Sequence, residues 1–353
     1  MITSLQFLPL LKRHHMNWFT RITGFTENNY DLTRSQLEVH GNTLLSKVNG
    51  HSYGVGEFEF ISLKDLRSRV ASSTGGEGRV RVQIVVGDVR KMHQAPEYAG
   101  ALFQVASQFN ALEMMSPRVT PEHGVTIYDC DRTQGPACAM AAGAATIYRN
   151  YFAPVGGQIG QTAERQLDGL ADLGIELSTR LKCTVSDLWE WRNGYALCTS
   201  QSLKIISDYL TSIDSDETEV LAEKLRVGIH RDVEVTDTST RPGPLVSQIF
   251  CSALPVAYGD APQQDWTKFA QLVLNAAYEA TMLEAVMNSR HGKSNVVLLT
   301  MLGGGAFGNA PEWIYTAIMQ AIEKVRGFDL DVRIVSYQPP STGMLGLVEQ
   351  LNN

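Results

Sequence analysis

Cysteine is scarce in this chain and never paired. The five residues Cys130, Cys138, Cys183, Cys198 and Cys251 are odd in number and widely spaced, with no CxxC among them. That argues against a disulfide framework or a zinc ribbon and fits a reducing, cytoplasmic setting. Positive charge is not in excess either: 30 Lys and Arg stand against 37 Asp and Glu, a formal net charge of −7. Phosphate-backbone binding needs a concentrated basic face, and basic residues are nowhere interleaved with aromatics, so no nucleic-acid partner is expected. No apolar run approaches the ~20 residues of a membrane span, so no membrane partner is expected. The apolar stretch at residues 1–11 is followed, not preceded, by Lys12 and Arg13; it reads as an untargeted start, with Met16 as a second candidate start. His123 and His230 stand without a neighbour at ligand spacing, so no metal is expected.

What is present is an ordinary globular composition, 44% hydrophobic and 19% charged over 353 residues, sufficient for a sizeable core. Residues 1–79 read as an N-terminal extension. Leu37, Val39, Tyr53, Val55, Phe58 and Phe60 alternate at period two and predict a small antiparallel element. A short helix is expected from Ser62, and the Ser/Thr/Gly loop 72–78 marks a boundary. From residue 80 the pattern becomes strand–helix alternation. Strands are predicted at 80–86, 102–109, 245–258, 295–301 and 332–337, nearly continuous in apolar residues as doubly covered parallel strands are. Helices are predicted at 136–151, 311–325 and across Trp266 to Met287, where apolar residues recur at three- and four-residue steps. Residues 153–244 read as a mostly helical insertion in which Trp189 and Trp191 pack, with Val227, Ile229, Val233 and Val235 alternating like a strand. The fold class is therefore α/β: three layers, with helices on both faces of a mixed, largely parallel sheet.

The most informative segment is 295–313. An apolar strand runs into Gly303, Gly304, Gly305, Ala306, Phe307 and Gly308, and then into a helix, with Asn309 as the expected N-cap and Glu312 closing a capping box. Glycines let backbone N–H groups approach an anion, and a helix N-terminus adds free donors, so the turn is a candidate diphosphate cradle. It has neither the Gly-Lys-Ser/Thr of a P-loop nor GxGxxG spacing. The competing explanation is a tight turn that merely needs glycine.

This segment resembles the second phosphate loop of the macrodomain family, with Phe307 as its aromatic. Residues 82–89 resemble that family's early Gly-Asp-aliphatic strand end, which implies that Asp88, with Val89 beside it, meets the adenine amino group. Residues 105–110 resemble the strand leading to the asparagine that faces the distal ribose, here Asn110. Residues 133–137 resemble the first Gly-containing loop, with Gln134 and Gly135. Two departures stand out: the usual Asn-Ala-Ala-Asn is Ser-Gln-Phe-Asn, and the first loop keeps only Gly135. Residues 246–258 and 277–281 are similar to a divergent branch between ordinary macrodomains and poly(ADP-ribose) glycohydrolases, including bacterial effector macrodomains that hydrolyse ADP-ribosyl-arginine, also on ubiquitin. The resemblance spans roughly 80–151 and 245–337.

It implies ADP-ribose as ligand or product, no other cofactor, and as partner an ADP-ribosylated protein, ubiquitin or another arginine-modified chain. Cleaving a ribosyl C1″ bond passes through an oxocarbenium-like state and needs a carboxylate to activate water. The candidates are Asp260 and Asp265 after the 245–258 strand, Glu113 beyond Asn110, and Glu279, for which a structural ion pair is the competing explanation. Asp129 and Asp131 read as solvated turn residues, and Arg149 and Tyr151 as scaffold. The alternative function is a non-catalytic reader of ADP-ribose.

Overall fold

A computed structural model describes residues 17–353; the start-site reading above falls outside these residues. Helices α1 (Trp18–Thr23) and α2 (Tyr30–Ser35) precede strands β1 (Leu37–His40), β2 (Thr43–Ser46) and β3 (Ser52–Gly54), which form an antiparallel sheet. There follow β4 (Glu57–Ser62), α3 (Leu63–Ser72), β5 (Val80–Val86), α4 (Val89–Gln94), β6 (Leu102–Ala106), α5 (Gln134–Ala141) and α6 (Gly143–Tyr151). A polar stretch holds hairpin β7 (Pro154–Val155) and β8 (Gln158–Ile159), α7 (Ala171–Leu181), α8 (Val185–Leu188), hairpin β9 (Glu190–Arg192) and β10 (Tyr195–Leu197), α9 (Ser200–Ser212) and α10 (Ser215–Ala222). The chain continues through β11 (Arg226–Glu234), β12 (Leu245–Cys251), α11 (Gln263–Arg290), β13 (Val296–Leu299), α12 (Pro311–Lys324), β14 (Leu330–Ser336) and α13 (Thr342–Asn352).

Seven strands make the main sheet in the order β4-β11-β12-β6-β13-β14-β5. The β12, β6, β13, β14 and β5 neighbours are parallel; β11 runs antiparallel to both β4 and β12. Period two explains the apolar runs. Leu102, Ile249, Val297 and Leu299 pack on one face with α11 and α12, while Phe103, Phe250, Val296 and Leu298 pack on the other with α5 and α6. The three-layer α/β expectation holds.

Boundaries differ from the sequence reading in ways that matter. Residues 57–72, assigned to the N-terminal extension, supply edge strand β4 and the core residues Ile61, Leu63, Leu66 and Val70. Phe58 and Phe60 thus pair with β11 and not with the local hairpin. Likewise the stretch 153–244 contains β11, a strand of the main sheet, so it is not a separable graft. The single helix expected at 136–151 is two, broken at Ala142 (φ −110°, ψ 57°). A Cβ on Gly143 would stand 2.5 Å from Ile22 and 2.8 Å from Trp18, so this is where α1 docks. Thr236 satisfies the break, its hydroxyl accepting from Gly143 N–H and its own N–H donating to Ala141 O.

At the outer edge of the sheet, Asn352 donates its amide to Val82 O (2.8 Å) and accepts from Val82 N–H (3.2 Å). None of the described helices is long and apolar enough to cross a membrane.

Candidate functional site

The carboxyl ends of β6, β12 and β13 open onto one cleft of about 200 Å3. Five segments wall it, one of them the chain after β12, which contributes Ala253 and Tyr258. The loop after β6 turns back sharply: Gln108 N–H bonds Leu112 O, Asn110 Oδ1 accepts from Leu112 N–H, and Ala111 takes a left-handed conformation (φ 58°). That reversal carries Glu113, Met114 and Met115 to the cleft beside Ser107 and Gln108. The start of α5 adds Asp131, Thr133, Gln134 and Pro136; β10 adds Tyr195; the glycine-rich turn after β13 adds Gly303, Gly305, Ala306 and Phe307.

The turn is shaped by contacts beneath it. Gly303 has φ +73°, and a Cβ there would lie 2.4 Å from that of Ala253. Gly305 has nothing within 4 Å of its Cβ position, and residues 304–306 are exposed. Gly304 and Gly308 N–H donate to Met301 O and Gly305 O, whereas the N–H groups of Gly305, Ala306 and Phe307 donate to no other described residue. Beside them is the N-terminus of α5, whose cap Thr133 makes no side-chain bond to the helix. Free amides from two sources therefore border one space, the arrangement that binds oxyanions. On one side stands an aromatic wall, Phe307 packing against Tyr195 and Tyr258 with ring centroids 5.4 and 5.5 Å away.

Glu113 is 2% exposed although it lines the cleft. Burial pushes its carboxyl up to about 7, against the opposing charge of Arg149 and the hydroxyl of Tyr128. Arg149 Nη2 approaches its two oxygens at 3.3 and 3.5 Å. A carboxyl group near neutrality at the edge of a cleft can take or give a proton at physiological pH.

Of the site residues expected from the sequence, the structure brings Glu113, Gln134, Gly303, Gly305, Ala306 and Phe307 together. Gln134 has a second duty: its amide accepts from Ala106 N–H (2.9 Å) and donates to Gln104 O (2.8 Å), completing β6 where β13 no longer pairs with it. Gly135 lies beneath the lining; a Cβ there would be 1.9 Å from Ala106 O. Gly304 and Gly308 belong to the turn without lining the cleft.

Other placements correct the expectation. Asn309 is not the N-cap of α12: Ala310 is, without a side-chain bond, and Pro311 opens the helix. Asn309 turns inward, donating to Leu254 O and Gly303 O, so no capping box forms with Glu312. Glu279 is far from the cleft, paired with Arg67 and Lys324 at 2.6 Å each; burial among helices requires those partners. Asp260 is exposed, Asp265 sits in the first turn of α11, and neither lines the cleft. Asp88 caps α4 by accepting from Arg90 N–H, Val89 is core, and Asn110 is buried against Gln166; these three are also outside the lining. Sequence reasoning missed Tyr195 and Tyr258 and set aside Asp131 and Arg149. The signal for Arg149 was available, since a charge in the middle of an alanine-rich apolar helix demands a buried partner.

No group of three or more His, Cys, Asp or Glu among the described residues is arranged to hold a metal ion. Neither a family model nor a curated protein matches the chain. Among solved structures, the poly(ADP-ribose) glycohydrolase of Deinococcus radiodurans in complex with ADP-ribose superposes with a TM-score of 0.41 at 11% identity, over 83% of this chain and 93% of that one. The glycohydrolase of Thermomonospora curvata gives 0.42 at 9%, over 91% and 95%. The similarity is one of chain trace.

Proposed function

We propose that this protein is a hydrolase that removes ADP-ribose from a modified protein. The observation that carries the reading is the convergence, in one cleft, of an exposed glycine-rich turn with unengaged amides and the buried carboxyl group of Glu113, which burial pushes up to about 7. In this reading the N–H groups of 305–307 and the start of α5 take the diphosphate, and the wall of Phe307, Tyr258 and Tyr195 takes flat apolar surface of the nucleotide. Glu113 faces the anomeric C1″. As the C1″–N bond breaks, its electron pair leaves with the guanidine nitrogen; water attacks C1″, Glu113 accepts the water proton and returns it to the departing nitrogen.

Arginine is the favoured linkage because of charge. The side chains lining the cleft include two carboxyls, Glu113 and Asp131, and no lysine or arginine, which suits a cationic guanidinium next to an anion held by backbone amides. The test is release of free ADP-ribose from arginine-, serine- and acid-linked substrates. Arginine-linked substrate should turn over fastest, and Glu113→Gln should lose at least roughly a hundredfold in kcat while ADP-ribose binding persists. Binding without release from any linkage would favour the non-catalytic reader.

A further inference from the structure

Arg149 is fully buried in α6 with 0% of its side chain exposed, an arrangement that is costly unless the charge is met. Several groups hold it. Nε donates to Ala111 O (3.1 Å), Nη2 to Thr146 Oγ1 (3.2 Å) and to Glu113, and the guanidinium lies 3.7 Å over the ring of Phe250. Nη1 has no partner among the described residues, and Glu113 is the carboxylate paired with the guanidinium. Arg149 does not itself line the cleft; Glu113 does.

We propose that Arg149 is the positioning residue for Glu113: fixed by Ala111, Thr146 and Phe250, it holds the carboxyl at the cleft and keeps it ionisable there. The role rests on the reading of Glu113 as the acid–base group. Burial raises the Glu113 carboxyl and the Arg149 charge opposes that rise, so the carboxyl would titrate higher without it. The other groups facing Glu113 do not replace it. Tyr128, from the 3-10 turn at 126–130, accepts from Glu113 N–H, Cys138 of α5 is a buried thiol held protonated, and Asp131 across the cleft adds negative charge. His230, which feels the Arg149 charge, is held neutral by burial.

The experiment follows the Glu113 carboxyl band by infrared difference spectroscopy against pH, with Glu113→Gln as the subtraction reference. Arg149→Gln is expected to move the midpoint upward by about one unit or more, and Arg149→Lys, which keeps a charge but cannot reach all three anchors, upward by less. The acid limb of any turnover should move with it. An unmoved midpoint in both variants overturns the proposal; should Arg149→Gln not fold, Arg149→Lys decides alone by the same criterion. The band needs no substrate, so a shifted midpoint without ADP-ribose release sinks the hydrolase reading and leaves the pairing standing. Release with an unmoved midpoint does the reverse.

Discussion

Glu113 combines two properties that seldom coincide, near-complete burial and contact with a cleft. Its carboxyl is raised to about 7, so at neutral pH both protonation states are populated. A base that takes a proton from water must be ionised, and a raised group loses its charge as pH falls through the raised value. The expected profile of kcat/KM is therefore a fall on the acid side with a midpoint near 7, well above the ordinary carboxylate range; an acid limb near 4.5 would remove Glu113 from the proton transfer. The position of this residue is legible only in part. Its closeness to Asn110 in the chain marks Glu113 as a candidate, but its burial comes from a left-handed turn at Ala111, which no side-chain pattern announces. The same loop-edge logic points to Asp260 and Asp265, and these stand outside the cleft because the chain after β12 folds into a 3-10 turn and then α11.

At the scale of elements, the glycines of 303–308 fall into two kinds. Gly303 is required by the fold, since its conformation is left-handed and Ala253 occupies the space a side chain would need. Gly305 has open space where a Cβ would sit. Gly303→Ala should therefore cost about 1–3 kcal/mol of stability, read as a lowered unfolding midpoint. Gly305→Ala should leave the midpoint within about 0.5 kcal/mol yet weaken ADP-ribose binding severalfold by calorimetry. Equal affinity in the Gly305 variant would mean that no ligand approaches the backbone there. The turn itself is readable because four glycines between a strand and a helix leave few alternatives, and the parallel strands are readable because burial on two faces leaves a run of apolar residues. What the pattern does not place is the pairing. Phe58 and Phe60 alternate as any strand does, and their partner β11 lies far along the chain, so the nearer hairpin looks sufficient. Asn309 followed by Ala-Pro meets the statistics of a cap, but proline at the first helical position fixes the start one residue later and frees the side chain to pin Leu254. Helix α13 escapes notice because Gly343 and Gly346 dilute its apolar spacing.

Across the whole molecule, the N-terminal quarter is tied to the part that carries the cleft. The small sheet β1–β3 and α1 pack on α6, which carries Arg149, through Trp18, Phe19, Ile147 and Tyr151. Glu27 accepts from Val125 N–H and from Tyr151 OH, bracing the segment that holds Tyr128. Strand β4 and α3 complete the main sheet and its core. A fragment of residues 80–353 should therefore lack a single cooperative melting transition, while the full chain should show one. A fragment that melted as sharply as the longer chain would show the boundary at 79 to be a true domain limit.

The contact between Asn352 and Val82 acts at this same scale. An edge strand offers its unused N–H and C=O to whatever chain passes by. The primary amide of Asn352 reproduces one residue of a neighbouring strand, taking both polar groups of Val82 at the middle of β5. One rung of that flank is thus already filled by a side chain, and a strand arriving from outside would find its ladder interrupted at Val82.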